Sequence, residues 1–288
     1  ERRSAVQAPK ASEQDAWEAT FLPPDGRGSV AFTIAKKLSD GRLQVAEVIA
    51  REPQGVVQAA SAWLSRTQLR EGHQRAQSRA GIAPVAVPVA WARMRIAEAL
   101  KLNGTSGTLL PLGLDRCREL IEPAPDSAEH PIAALEAGLA ADAAPAAAAL
   151  HNEPEFRGWL PEAPAIDEML RKLGESLGEG GAKDPEKVSK GLDDEVKNAT
   201  DRYFSPEVRG VVASRLRDAA VSVRARAGED KAKEVVATAR AVEQAGLITS
   251  PPRDVAFLAA FFHKAVALLL QKGSGSLRIP MAQSPSAG

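Results

Sequence analysis

The sequence predicts an α+β protein: an N-terminal antiparallel β-hairpin or small sheet packed with helices, followed by a mostly α-helical bundle. Residues 26–49 carry the β prediction, because Val30, Phe32 and Ile34 alternate with smaller or polar residues up to Asp40-Gly41, and Leu43, Val45, Val48 and Ile49 return beyond it. Beyond that segment, apolar residues recur three and four apart between proline and glycine punctuation, the helical period. Composition agrees. Hydrophobic residues make up 44% of the 288 but aromatics only 4%, so the core is expected to be mostly alanine, valine and leucine, with alanine the best helix former.

Residues 1–16 are polar and unpatterned and read as a tail. Trp17 to Leu22 reads as a first strand, ended by Pro23-Pro24-Asp25-Gly26. The hairpin follows, with a two-residue type I′ turn expected at Asp40-Gly41. Val56, Val57, Ala60, Trp63 and Leu64 have helical spacing, and a more polar helix is expected from about Thr67 to Arg79. Pro84 and Pro88 mark a loop. Pro88 opens a helix through Leu100 that Asn103-Gly104 is expected to end, and a short helix follows around Cys117 and Leu120. This completes a hairpin-plus-helices module over 17–122.

Residues 123–163 are rich in proline and alanine and read as a connector, with a helix from Pro131 to Leu139. A helical bundle is expected over 164–272. Its first stripe, Ile166 to Leu177, stops at Gly178; Asp184-Pro185 and Ser205-Pro206 start the next two helices; a fourth spans Lys231 to Ala245 and a last Asp254 to Gln271. The pair over 206–246 has the helix lengths of a tetratricopeptide-like hairpin. No matching period occurs elsewhere, so it reads as one hairpin inside a bundle. Residues 273–288 have linker composition.

Basic and acidic residues balance at 37 each, which singles out no partner. Cys117 is the only cysteine, so an intrachain disulfide is excluded and a reducing, cytoplasmic setting expected. No apolar run approaches the roughly 20 residues that cross a bilayer, and no membrane role is expected. A start at Glu1 reads as truncated or processed.

The candidate chemical residues each have a simpler reading. His73, His130, His151 and His263 are scattered. The four-residue spacings Asp126–His130 and His151–Glu155 fall among prolines, and His263 reads as packed beside Phe261 and Phe262. Asp25-Gly26-Arg27-Gly28-Ser29 precedes a strand, the wrong order for a phosphate loop, so turn formation is expected. Cys117 has basic neighbours but no sequence pattern supplying a base or oxyanion hole, and reads as a small buried residue. No catalytic residue, metal ligand or cofactor is expected.

Charge segregation is the one functional hint. Residues 51–120 hold ten basic and five acidic groups, whereas 121–201 hold seven and eighteen. Arg66, Arg70, Arg75, Arg79, Arg93 and Arg95 are therefore candidate nucleic-acid contacts, part of an Arg-rich segment over 66–118 that lacks interleaved aromatics.

The glycine turn and strand Gly26-Arg27-Gly28-Ser29-Val30, the turn Asp40-Gly41, Gly55-Val56-Val57, the helix from Pro88 to Leu100 before Leu110-Pro111-Leu112, Ser205-Pro206-Glu207-Val208 and the Arg215–Ala220 run come in an order that resembles an uncharacterised bacterial family of hypothetical proteins. The resemblance spans most of residues 17–270. It implies a hairpin module followed by a helical region, and that family has no established activity. The expected function is a non-catalytic interaction or scaffold protein with a protein partner. The alternative is a nucleic-acid-binding accessory factor, and a third reading is an enzyme assembled around His73, Cys117 or the turn at Gly26 to Gly28.

Overall fold

A computed structural model describes residues 16–141, 143–146, 148–181, 184–247 and 251–272. The predicted tails at 1–16 and 273–288 thus lie outside the described residues, Ala16 excepted. The fold is α+β, and contacts divide the chain into two units that meet at Ala134/Leu135.

Unit 1 is built on a five-stranded antiparallel sheet in the order β4-β3-β2-β1-β5. Its strands are β1 (Trp17–Leu22), β2 (Ser29–Lys37), β3 (Leu43–Arg51), β4 (Gly55–Leu64) and β5 (Val85–Val87). The β2–β3 hairpin forms as its alternation predicts, but its turn differs. Leu38 N–H donates to the Arg42 carbonyl and Gly41 N–H to that of Leu38, so the loop is a three-residue turn with Gly41 left-handed, at φ 84°.

The helical spacing expected at Val56 to Leu64 is overturned, because that segment is the edge strand β4. Ala50 pairs with Val56 and Ile49 with Gln58, leaving Val57 as an extra residue. The bulge puts Val56 and Ala59, three apart, on the same face, which imitates a helical repeat. β5 falls where Pro84 and Pro88 mark a loop, since three residues between prolines are too few to show alternation.

Helix α1 (Arg66–Ala80) starts at a capping box in which Ser65 and Gln68 exchange hydrogen bonds. It crosses from β4 to β5 over one face, where Leu69 packs with Ala35, Leu43 and Val45. Helix α2 (Val89–Ser106) covers the other face. Its Trp91 meets Phe21 and Phe32 edge-on at centroid distances of 5.1 and 5.9 Å. Asn103-Gly104 does not end α2, which runs on to Gly107. Asn103 is instead buried against the sheet edge: its side chain accepts from Val56 N–H at 2.7 Å and donates to Val56 C=O at 2.9 Å. The amide thus occupies two backbone groups that an edge strand otherwise offers to another chain. Gly55, at φ 94°, is required there, because a Cβ would lie 2.4 Å from Asn103 Oδ1. A 3₁₀ turn (Leu114–Cys117) and α3 (Arg118–Ile121) complete the core of this face, and the short α4 (Ala133–Ala137) follows.

Unit 2 contains α5 (Ala163–Gly181), α6 (Pro185–Tyr203), α7 (Pro206–Ala227), α8 (Glu229–Gln244) and α9 (Ala256–Lys272). The start signals hold: Asp184 accepts from Glu186 N–H and Lys187 N–H, and Ser205 from Val208 N–H. α5 leaves helical geometry at Gly178, where its stripe ends. α7 and α8 pack through alanines and valines. Around α9 the core is more aromatic than composition suggested, with Phe156, Trp159, Phe204, Phe257 and Phe262 almost fully buried. His263 is exposed rather than packed, because its neighbours Phe261 and Phe262 take the inward face.

Candidate functional site

In unit 1, β1, α2 and the proline-rich segment after α3 enclose a groove of about 700 Å³ lined by Trp17, Pro88, Val89, Ala90, Arg93, Pro123, Ala124 and Pro125. Strand pairing explains how Trp17 reaches it. Trp17 and Phe21 are an even number of residues apart on β1 and share the α2 face, and Lys36 is the cross-strand partner of Trp17. One turn into α2, the Arg93 guanidinium lies 4.4 Å from the centre of the Trp17 ring, and Lys36 Nζ lies 5.1 Å from it. Arg93 is anchored by Nε–H donating to the Leu120 carbonyl at 2.8 Å. Among the described residues its two Nη groups have no hydrogen-bond partner. Burial draws its pKa down, as expected for a cation on an apolar wall. No acidic side chain lines the groove.

The other candidate arginines disperse. Arg66 pairs with Glu18 at 2.5 Å, and Arg70 reaches Thr67 Oγ1 at 3.5 Å. At about 100° per residue, Arg66 and Arg70 lie on one flank of α1 and Arg75 and Arg79 on the opposite flank, not on one stripe. Arg95 pairs with Glu98 at 3.4 Å and lies over Trp91. Only Arg93 belongs to the groove.

The remaining candidates take separate places. His73 on α1 is within 3.3 Å of Thr20 Oγ1, and desolvation lowers its pKa against the pull of Glu18 and Glu47. Cys117 is buried, with Sγ 3.5 Å from the Gly113 carbonyl, and burial raises the thiol pKa, so it stays protonated and a poor nucleophile. Asp25 Oδ1 accepts from Arg27 N–H and Ser29 N–H at 2.8 and 2.9 Å. The turn thus spends its amides on its own carboxylate, as turn formation requires. His130 packs against Trp91.

In unit 2, His151 and Glu155 do not act as a pair. His151 is stacked on Phe257, whereas Glu155 is held by Arg226, with N–O distances of 3.0 and 2.8 Å, and by Ser222 Oγ at 3.0 Å. Among the described residues, no three His, Cys, Asp or Glu side chains form a group that would hold a metal. A smaller hollow of about 360 Å³ beside α8 contains Lys233, already paired with Glu229 and Asp230.

Unit 1 also exposes Leu109 (89%), Leu110 and Leu112 (101%) in the loop after α2, and Trp63 on β4 (60%), with Arg42 over the Trp63 ring at 5.0 Å. Sequence reading missed the groove because its walls come from residues 17, 88–93 and 123–125, which no local motif links. The signal in reach was a tryptophan opening a strand whose hairpin partner is a lysine. No helix among the described residues is long and apolar enough to cross a membrane. Compared with protein-family models, with curated proteins and with solved structures, the chain matches none, and the family resemblance rests on its motifs alone.

Proposed function

We propose that this is a non-catalytic protein-interaction or scaffold protein that engages its partner through the unit 1 groove. The observation that carries this reading is the groove's chemistry: a half-buried tryptophan, three prolines and a cation, with no acid or nucleophile on its walls. Such a surface offers apolar contact and one directional charge, the ingredients of recognition rather than of bond breaking. The exposed leucines of residues 109–112 add apolar surface of the kind that marks interaction sites.

The nucleic-acid reading draws on the exposed arginines of α1, and their two-flank arrangement gives it less support than a continuous stripe would. A photo-crosslinking residue at Ala124 separates the two. The expected result is a discrete protein adduct that disappears in Trp17→Ala. An adduct with RNA or DNA, or a protein adduct indifferent to Trp17→Ala, overturns the reading.

A further inference from the structure

We propose that the groove takes an extended peptide segment carrying a carboxylate beside proline or other apolar residues; this rests on the protein-interaction reading and names the partner's chemistry. The sign of the ligand follows from the cations. Arg93, which lines the groove, is tethered through Nε alone and keeps both Nη groups free among the described residues, and Lys36 stands beside the same ring. With no acidic side chain on the wall to neutralise them, the complementary group is an anion, and a guanidinium prefers a carboxylate that it can grip with two parallel bonds. The α2 N-terminus adds to the same sign. Val89 and Ala90 line the groove, and the helix has neither a side-chain cap nor an acidic residue in its first turn.

The remaining walls fix the backbone. Pro88, Pro123 and Pro125 are rigid apolar surfaces against which pyrrolidine rings pack. An extended polyproline II segment has no internal hydrogen bonds, so its carbonyls stay available. Trp17 Nε1–H, which has no acceptor among the described residues, is a donor for one of them. A nucleic-acid base fits less well, since Arg93 already lies over the Trp17 ring where a base would stack.

The test uses the full chain and two synthetic probes, the blocked hexapeptide Pro-Pro-Leu-Glu-Pro-Leu and the same peptide with Gln in place of Glu. Tryptophan indole resonances, assigned with Trp17→Phe, report the site. The acidic peptide is expected to shift the Trp17 signal and leave those of buried Trp91 and Trp159 in place. Affinity should fall about tenfold for the Gln peptide, and by a similar factor in Arg93→Gln. Because Arg93→Gln also removes the bond to Leu120, Lys36→Gln serves as a second variant that breaks no internal hydrogen bond, and a weaker loss is expected there. Equal binding of the two peptides, or an unmoved Trp17 signal, overturns the proposal. If peptide binding fails while the Ala124 protein adduct persists, only the carboxylate inference falls. Loss of both removes the interaction reading as well.

Discussion

Acid should loosen unit 2 through one imidazole. His151 is 5% exposed, stacked on Phe257 at 4.4 Å and edge-on to Phe261 at 4.7 Å. Its Nε2 lies 2.9 Å from the Phe257 carbonyl oxygen, which only accepts, so Nε2 carries the proton and Nδ1 is a buried nitrogen without a partner among the described residues. A second proton would place a charge among aromatic rings. Burial, with the Lys264 ammonium adding to it against the bond to Phe257, holds the pKa at about 4, below the ordinary 6.5. The unfolded chain therefore binds this proton first. The stabilisation is complete above about pH 6.5 and drains away as pH falls toward 4, by about 2 kcal/mol between pH 7 and 5 and about 3 kcal/mol by pH 4. Urea unfolding at pH 7 and pH 5, read by hydrogen exchange of the α9 amides, measures it. His151→Phe keeps a ring but cannot titrate; with the bond to Phe257 lost it should be about 1 kcal/mol less stable than the parent at pH 7, and about 1 kcal/mol more stable than the parent at pH 5, its acid loss being smaller by about 2 kcal/mol. Parallel acid losses in the two proteins would refute the assignment.

Other expectations follow from single contacts. Asn103→Ala strands the Val56 N–H and C=O and should cost about 2 to 4 kcal/mol in urea unfolding, at about 1 to 2 per buried unpaired group. Arg226→Ala leaves the Glu155 carboxylate buried with only Ser222 and should cost about 3 kcal/mol or more, whereas Arg66→Ala, which breaks only the exposed pair with Glu18, should cost less than about 1 kcal/mol. Lys264, which donates to the carbonyls of His151 and Phe156, has its pKa lowered by burial to about 8. Its protonation opposes folding below the unfolded value, so unit 2 should gain stability as pH rises from 8 to 10. Lys264→Met should abolish that gain, as followed by thermal unfolding.

How much was legible in advance depended on whether the deciding interaction was local. Helices α6 and α7 begin where Asp184-Pro185 and Ser205-Pro206 place them, because an N-cap is settled within three residues. β1 and the β2–β3 hairpin were legible from alternation. β4 was not, because pairing with β3 and one bulged residue decided between two readings of the same apolar spacing. The helix end expected at Asn103-Gly104 fails for a similar reason. The local signal was a stop, yet the Asn103 amide finds stronger use against Val56, forty-seven residues away, and the helix continues to Gly107. Of the six candidate arginines, only Arg93 lies in the groove, and charge counting gave it no precedence over Arg75 or Arg79. What sets it apart is its carbonyl anchor on Leu120, a tertiary contact.

The treatment of tryptophan bears on why the groove is more than a gap in packing. Of the other tryptophans, Trp91 and Trp159 are almost fully buried, whereas Trp63 is 60% exposed beneath Arg42. Trp17 shares the sheet face of Phe21 and Phe32, where more chain packed over the strand end would have buried it too. Instead its cross-strand partner is Lys36, its helix neighbour is Arg93, and the segment covering α2 approaches with prolines. Each of these keeps the site open or charged. A packing gap needs none of them, because an apolar side chain at 93 would close over the ring and contribute roughly 1.5 to 3 kcal/mol of burial. A half-buried arginine held against the ring, where burial favours an aliphatic side chain, is what the proposed anionic partner would account for.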